Sequence, residues 1–265
     1  MGRSREAESP VPLSRRQLLH VAGALTAGAV VAVVGTDGVA SYAATDTARV
    51  RARATNSGDP ASTRVLWRGR GDAKLMALTF DDGPSAAFTP ALLDVLAAED
   101  VPATFCVVGR NLQAARAIAR RQVDAGHELV NHTWSHADLS ALDRRRVVAE
   151  LRRTDELIAD LTGARPTLHR PPYGRLSGTV LSVAAELEYD VLLWDEQVIE
   201  RRTTVAGNVE HVVGGFRPGM VLLAHDAGPA RRRIGMSSVR PIVQAAKAQG
   251  YRFVTATELV AGSVA

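Results

Sequence analysis

The sequence predicts an α/β fold in which parallel strands, each followed by a helix, close or nearly close into a barrel. Seven short apolar or β-branched runs alternate with segments of helical periodicity, which is typical of βαβ units and a parallel sheet. Charged or imidazole side chains stand at or just after the ends of five of these runs. The chain has 265 residues, 46% hydrophobic and 23% charged, so it can bury a sizeable core and is not a wholly disordered protein.

The strands are predicted from short runs of apolar and β-branched residues that are bounded by turn residues. They are Leu75–Phe80, Ala103–Val108, Glu128–Val130, Thr167–Arg170, Asp190–Trp194, Met220–Ala224 and Arg252–Thr255. The helices predicted between them include Pro90–Ala98, Leu112–Ala125, Asp143–Leu161, Thr179–Glu188, Val205–Val213 and Val239–Ala248. In the longest helix, a spacing of three or four residues predicts one buried face, formed by Val147, Leu151, Thr154, Leu157, Ile158 and Leu161.

The first 44 residues have the pattern of an export signal. Arg15 and Arg16 precede an apolar run, Val21–Val34, and small residues follow at Val39–Ala44. The paired arginines are typical of the twin-arginine signal of bacteria, so we expect an exported protein, extracellular or associated with the cell wall, with cleavage near the end of this stretch. An uncleaved anchor helix is the alternative, although the run is shorter than the roughly 20 residues that a membrane span needs.

Two further segments complete the predicted organisation. Residues 45–63 are mostly polar and small, and we expect a flexible linker there. Residues 64–265 are expected to form a single folded domain, with no membrane span left after cleavage of the signal.

Charge and cysteine content exclude several classes of function. The chain has 32 Lys and Arg against 28 Asp and Glu, a formal charge of +4, and no basic run interleaved with aromatic residues, so nucleic acid is not an expected partner. The single cysteine, Cys106, excludes an intrachain disulfide and any metal site built from several cysteines. We expect Cys106 to be an inert, buried thiol.

Polar residues gather where the predicted strands end. They are Asp81 and Asp82 after the first strand, His132 and His136 after the third, Arg170 at the fourth, Asp195 at the fifth, and His225 and Asp226 after the sixth. In α/β barrels, the carboxyl ends of the strands form one face, and that face carries the chemistry. The pattern therefore predicts a functional site at this rim.

Two histidines four residues apart, His132 and His136, suggest a metal site. On a helical turn their side chains would share one face about 6 Å apart, which suits a single ion. This spacing alone is a weak signal, but Asp81 or Asp82 could supply a third ligand and leave coordination positions open for water and substrate. An Asp-Gly-Pro turn would explain one of the two aspartates, but not both.

The neighbouring residues would suit acid–base chemistry. An aspartate that does not bind the metal could act as a general base, with Arg170 nearby to keep it ionised. His225 could protonate a leaving group. Taken singly, His225 could equally be a structural histidine, and Arg170 an ordinary ion-pair partner.

Four short motifs resemble, in the same order, those of the polysaccharide deacetylase family. They are Thr79–Pro84, Asn131–His136, Arg170–Gly174 and Leu223–Asp226, and the similarity extends over residues 74–260. The resemblance implies a distorted, incomplete (β/α) barrel of seven or eight units. It also implies a metal-dependent hydrolase that removes acetyl groups from chitin-type sugars, peptidoglycan or xylan.

The resemblance further implies a role for each matching residue in the metal site and in water activation. Asp81 would be the general base, and Arg170 would support it. One divalent ion would be held by Asp82, His132 and His136; zinc is expected, with cobalt or nickel as alternatives.

The same resemblance implies how the substrate would be held and protonated. The backbone N–H of Tyr173 would stabilise the oxyanion, and His225 would be the general acid. The residues expected to contact the substrate are Pro172, Tyr173, Leu223 and Trp194.

One region departs from the family pattern. The family usually has an Asp-x-x-Asp-Trp motif after the strand that ends at Trp194, and its three named positions are occupied here by Gln197, Glu200 and Arg201. Glu200, or Asp195 in its place, could still orient His225. The tryptophan that would form one wall of the pocket is missing.

The expected partner is an acetylated polysaccharide, and the expected activity is removal of N-acetyl groups from peptidoglycan or chitin-type polymers by a monomer. An O-deacetylase of the acetylxylan type and a non-catalytic carbohydrate-binding relative are the alternatives. The run Arg231–Arg233 could contact an anionic substrate, or it could be a solvated loop.

Overall fold

Nine parallel strands form one sheet in the part of the chain that the computed structural model describes, residues 62–200 and 204–262. They are β1 (Val65–Leu66), β2 (Leu75–Asp81), β3 (Thr104–Val107), β4 (Glu128–Asn131), β5 (Leu168–His169), β6 (Asp190–Leu192), β7 (Glu196–Gln197), β8 (Met220–His225) and β9 (Arg252–Phe253). The predicted export signal, nearly all of the predicted linker and Arg201 lie outside the described residues.

The α-helices follow the strands along the chain. Within the described residues they are α1 (Thr89–Glu99), α2 (Gly109–Ala114), α3 (Arg116–Asp124), α4 (Arg144–Thr162), α5 (Gly178–Glu186), α6 (Val205–Gly214), α7 (Arg233–Ala248) and α8 (Ala256–Ala261). None of these helices is long and apolar enough to cross a membrane.

The strand order is β1-β6-β5-β4-β3-β2-β8-β7, with β9 paired beside the first residues of β2. Strand β2 is therefore central, and it pairs with β8 from Met76 to Asp81. Strands β1 and β7 are at the two edges, so the sheet curls without closing. The expected distorted, incomplete barrel is confirmed.

All seven predicted strands are present, with ends that differ from the prediction by up to two residues. The sequence-based prediction does not include β1 and β7: β1 lies ahead of the first predicted strand, and the two residues of β7, Glu196 and Gln197, are polar. The predicted helix Leu112–Ala125 is in fact two helices, since Ala115 leaves the helical region with φ −124° and ψ 41°.

Helix α4 illustrates how local sequence sets the bounds of an element. The Asp143 side chain caps its first turn, and Gly163 ends it with a left-handed φ of 79°. The predicted face is buried except for Leu157, which is partly exposed. Asp155 is also buried, although the predicted face did not include it, because its carboxylate accepts a hydrogen bond from Asn131 at 2.7 Å.

Helix α7 begins at Arg233, six residues before the predicted start at Val239. Gly235 lies in this first part of the helix, and glycine weakens the sequence pattern that predicts a helix. The glycine allows close packing, because a Cβ at this position would lie 3.2 Å from Val198. Cys106, in β3, is buried, and burial raises the pKa of its thiol well above the ordinary value, as expected for an inert cysteine.

Candidate active site

The carboxyl ends of the strands carry the polar residues that the sequence singled out. Asp81 ends β2 and lies opposite His225, which ends β8. Asn131 ends β4 and leads directly into the segment that holds His132 and His136. Because the strands are parallel, these side chains belong to the same rim of the sheet.

Asp82, His132 and His136 bring their ligand atoms together at this rim, within 4.8 Å of one another. Oδ1 of Asp82 lies 3.0 Å from Nε2 of His136 and 3.5 Å from Nε2 of His132. Two ligands about 2.1 Å from one tetrahedral ion are roughly 3.4 Å apart, so this spacing suits a single ion of that size.

Two further observations test whether these residues fit a divalent cation. Oδ1 of Asp82 is buried and has no hydrogen-bond partner within the described residues. Nδ1 of His132 lies 2.7 Å from the backbone carbonyl of Arg170, which can only accept, so the proton is assigned to Nδ1 and the lone pair of Nε2 is left for a ligand. Two imidazoles and one carboxylate are a common set of protein ligands in catalytic zinc sites, so the residues fit the ion.

The groups around Asp82 keep its carboxylate ionised. Burial alone would raise the pKa of this carboxyl, but contacts with His132, His136 and Arg232 hold it well below the ordinary value. Nη1 of Arg232 donates to Oδ2 of Asp82 at 2.6 Å. Oδ1 is therefore the oxygen left facing the two histidines.

The segment from His132 to His136 is not helical, so the two imidazoles do not meet on the face of a helical turn. Thr133 and His136 have φ values of 69° and 60°, in the left-handed region that few residues other than glycine adopt. Oδ1 of Asn131 accepts from the N–H of Thr133 at 2.8 Å, and Oγ1 of Thr133 accepts from the N–H of His136 at 3.0 Å. These bonds stabilise a kinked loop that still places the two imidazole centroids 5.0 Å apart.

Arg170 is fully buried and holds Asp81 in place. Its Nη1 donates to Oδ1 of Asp81 at 2.7 Å and to Oγ1 of Thr79 at 2.8 Å, while Nε and Nη2 donate to the carbonyls of Leu192 and Leu193. Burial opposes the charge on Asp81, but the positive groups around it, foremost Arg170, outweigh burial and lower the pKa of the carboxyl. Asp81 is thus kept as a carboxylate.

Glu200 is the carboxylate that reaches His225, with Oε1 2.9 Å from Nδ1 of the imidazole. Strand β7 runs parallel to β8 with Gln197 opposite Leu223, so a residue shortly beyond Gln197 comes beside the end of β8. Burial alone would raise the pKa of Glu200, but its contacts with His225 and with Arg232 lower it. An ionised carboxylate can only accept a hydrogen bond, so Nδ1 of His225 is assigned the proton that it donates to Glu200.

Asp195 does not take this place, and the prediction that it could orient His225 is wrong. Oδ2 of Asp195 accepts from Nε of Arg217 at 2.8 Å, and Oδ1 accepts from the N–H of Val221 at 3.0 Å. Val221 lies near the start of β8, whereas His225 ends it. The pairing of β7 with β8 therefore keeps Asp195 away from the rim.

The residues predicted to contact substrate differ in exposure. Tyr173 is 60% exposed, and its ring centroid lies 4.8 Å from that of His136. Trp194 is partly buried and packs on Gly174, where a Cβ would come within 3.0 Å of the indole. The buried members of the set are Pro172 and Leu223. Tyr173 is therefore the member that reaches solvent beside the cluster of ligand atoms.

Arg232 is a residue of the site whose position the sequence did not predict. The run Arg231–Arg233 suggested a surface feature, but the Arg232 side chain is only 14% exposed and bonds to both Asp82 and Glu200. A run of three arginines carries no periodicity that would reveal which of them turns inward.

Asp226, which follows the general-acid candidate, is fully buried beneath the rim. Its Oδ2 accepts from Oγ1 of Thr89 at 2.6 Å, while Oδ1 has no hydrogen-bond partner within the described residues. Burial raises the pKa of this carboxyl to about 7. Gly83 leaves room for the Asp226 side chain, since a Cβ at position 83 would come within 2.1 Å of this carboxylate.

Comparison with known proteins gives a consistent result. The family model described as "Polysaccharide deacetylase" matches residues 68–192. The chain is 34% identical over 187 residues to the peptidoglycan-N-acetylglucosamine deacetylase PgdA of Listeria monocytogenes, covering 70% of this chain. It is 38% identical over 168 residues to the chitooligosaccharide deacetylase of Sinorhizobium fredii, covering 63% of this chain and 78% of that relative.

Solved structures agree with the sequence comparison. The Bc1960 peptidoglycan N-acetylglucosamine deacetylase superposes with a TM-score of 0.71 at 30% identity, covering 74% of this chain and 92% of the other. BA3943, a pseudoenzyme from Bacillus anthracis, superposes with a TM-score of 0.68 at 25% identity, covering 75% and 69%. The chain spans only 39% of the length of the Listeria protein.

Proposed function

The chain belongs to the polysaccharide deacetylase family, and on that premise we propose that it is an exported, metal-dependent deacetylase of amino-sugar polymers. The reaction is hydrolysis of N-acetyl groups on a polymer of the peptidoglycan or chitin type. One observation carries the proposal. A cluster of candidate metal ligands, a buried carboxylate and a histidine–carboxylate pair lie together at one rim of the sheet.

Asp82, His132 and His136 would hold the ion, zinc or else cobalt or nickel. When bound, such an ion supplies Lewis acidity toward the acetyl carbonyl and lowers the pKa of water. The protein's part is to fix the ligands: the backbone carbonyl of Arg170 accepts from Nδ1 of His132 and so orients its imidazole.

Asp81 would take the proton from the attacking water. Its pKa is lowered, so the carboxylate is available as a base over a wide range of pH. Arg170 holds Oδ1 of Asp81, which leaves Oδ2 as the oxygen that would accept the proton.

His225 would return a proton to the amine that leaves. Its Nδ1 faces Glu200 at 2.9 Å, so Nε2 is the nitrogen that would carry the transferred proton. The backbone N–H of Tyr173 would donate to the oxygen of the acetyl group as negative charge develops on it. Leu223 would contact the acetyl methyl.

The substrate class is proposed from the relatives and from the N-terminal sequence. The Listeria relative is named for peptidoglycan and the Sinorhizobium relative for chitooligosaccharides, both with N-acetylated amino sugars. Arg15 and Arg16, ahead of an apolar run, support export to the cell envelope, where peptidoglycan is the nearest acetylated polymer.

Acetate release by the purified, metal-stripped chain tests the proposal. Zinc or cobalt is added back, and N-acetylglucosamine oligomers, peptidoglycan and acetylxylan are offered side by side, with Asp81→Asn as the control. We expect metal-dependent release from an N-acetylated polymer and none from the control. Release from acetylxylan alone would instead assign an O-deacetylase, and retention of sugar without any release would assign a carbohydrate-binding protein.

A further inference from the structure

Arg232 lies between two carboxylates of the site and is bonded to both. Its Nη1 donates to Oδ2 of Asp82 at 2.6 Å, and its Nε donates to Oε2 of Glu200 at 3.1 Å. Only 14% of the side chain is exposed. One guanidinium thus joins a candidate metal ligand to the partner of the candidate general acid.

The loop after β8 leaves room for this guanidinium. Nη1 of Arg232 also donates to the backbone carbonyl of Ala227. Gly228 has a φ of 111°, which strains other residues, and a Cβ there would lie 2.7 Å from Nη1. A side chain at position 228 would therefore push the guanidinium out of its place.

Each carboxylate gives one oxygen to Arg232 and keeps the other for the site. Oδ1 of Asp82 lies 3.0 Å from Nε2 of His136, and Oε1 of Glu200 lies 2.9 Å from Nδ1 of His225. Neither carboxylate can rotate without breaking its bond to Arg232. Contacts of this kind, one step removed from a metal, commonly set its affinity.

We propose that Arg232 is a positioning residue that fixes Asp82 toward the metal and Glu200 toward His225 at the same time. The catalytic half of this inference rests on the proposed function, whereas the half concerning Asp82 needs only metal binding. A guanidinium presents separate N–H groups in a rigid fork, so it can hold two carboxylates at defined positions, which the single ammonium of lysine does less well.

Charge and orientation act on the metal in opposite directions, and the choice of variants must separate them. The positive charge of Arg232 repels a cation, whereas a fixed Asp82 favours binding. Arg232→Lys keeps the charge and removes the fork. Gly228→Ala keeps Arg232 itself and displaces its guanidinium.

The test measures zinc affinity of the full chain by competition with a chromophoric chelator, together with kcat and KM for acetate release. In Arg232→Lys and Gly228→Ala we expect the zinc dissociation constant to rise about tenfold and kcat to fall roughly 10- to 100-fold, with KM changed by about twofold or less. The control is Arg240→Lys, on α7, the helix that follows Arg232, where Nε lies 3.5 Å from Oε1 of Glu99, and it should match the wild type. Circular dichroism checks that each variant folds. If one of the two variants does not fold, the other is sufficient for the test.

A double-mutant cycle separates positioning from a general loss of structure. The cycle is measured at saturating zinc, so that the metal site is filled in every variant. If Arg232 acts on His225 through Glu200, adding Glu200→Gln to Arg232→Lys then lowers kcat no further than the worse single variant does. Additive losses of kcat would overturn the inference. It would also be overturned if zinc affinity and kcat in both single variants matched those of the wild type. If the wild type releases no acetate but Arg232→Lys weakens zinc binding, the proposed function fails and the Asp82 half of the inference stands.

Discussion

Oε1 of Glu200 lies 2.9 Å from Nδ1 of His225, a contact made between the segment after β7 and the end of β8. The parallel pairing of Gln197 with Leu223 sets this approach. A glutamate has one more methylene than the aspartate usual in the family, and here it still reaches the imidazole. The longer side chain is in turn held by Arg232, through Oε2 at 3.1 Å.

Glu200→Gln tests whether this contact supports catalysis. The amide can no longer stabilise a positive imidazole, so kcat should fall by roughly 10- to 100-fold, less than the 10²–10⁴ that a general acid as a whole contributes. The matched control is Asp195→Asn, because Asp195 bonds to Arg217 instead of His225. Steady-state kinetics of acetate release give kcat for both variants. An equal loss of kcat in the two would contradict the assignment of Glu200 as the partner of His225.

Asp81→Asn should greatly lower turnover and keep the metal. The amide cannot accept the proton of water, so kcat should fall by roughly 10²–10⁴. The Arg170 charge would lose its buried counter-ion, so the free energy of unfolding should fall by about 3–5 kcal/mol. Zinc content after gel filtration, measured beside urea unfolding, checks both points. Loss of zinc from the folded variant would make Asp81 a ligand.

His136→Ala should release the metal, because it removes one of three ligand atoms within 4.8 Å of one another. The zinc dissociation constant should rise by at least about tenfold, since even the loss of a group one step removed from a metal commonly costs that much. The matched control is His211→Ala, an exposed histidine paired with Glu196 at 3.1 Å. Equal zinc affinity in the two variants would disprove the site.

The strands and the rim could be predicted because the signal is local. A run such as Leu75–Phe80 shows its burial in its own composition, and in a parallel sheet a polar residue directly after such a run must lie at the carboxyl edge. The order of strand and polar residue therefore placed Asp81, His132 and His225 on one rim without any knowledge of side-chain contacts.

What could not be predicted depends on contacts between distant segments. Asp195 and Glu200 are both carboxylates after Trp194, and only the register of β7 against β8 decides which one reaches His225. The left-handed φ of His136 is imposed by a loop that the spacing of two histidines cannot reveal. Arg232 turns inward because Gly228 leaves space for it, and no pattern within the arginine run encodes that.

Asp226 predicts a pH dependence of stability. In the folded protein its carboxyl has a pKa raised to about 7 by burial, against an ordinary value of 3.8. Between these values the folded state holds a proton that the unfolded chain has lost. The free energy of unfolding should therefore fall as pH rises, by about 1.4 kcal/mol per pH unit from this group.

Asp226→Asn should remove that slope, because an amide does not titrate. The Oδ1 of the new asparagine can still accept from Oγ1 of Thr89. Its NH2 would lack a partner, because Oδ1 of Asp226 has no hydrogen-bond partner among the residues that the structure describes, so the variant should be less stable than the wild type at pH 5. The informative quantity is the difference between wild type and variant, since every shared titration cancels. Urea unfolding of the metal-free proteins should show that difference shifting by about 2–3 kcal/mol in favour of the variant between pH 5 and 7. Parallel pH profiles would mean that Asp226 is ionised in the folded protein, with its charge compensated inside the rim.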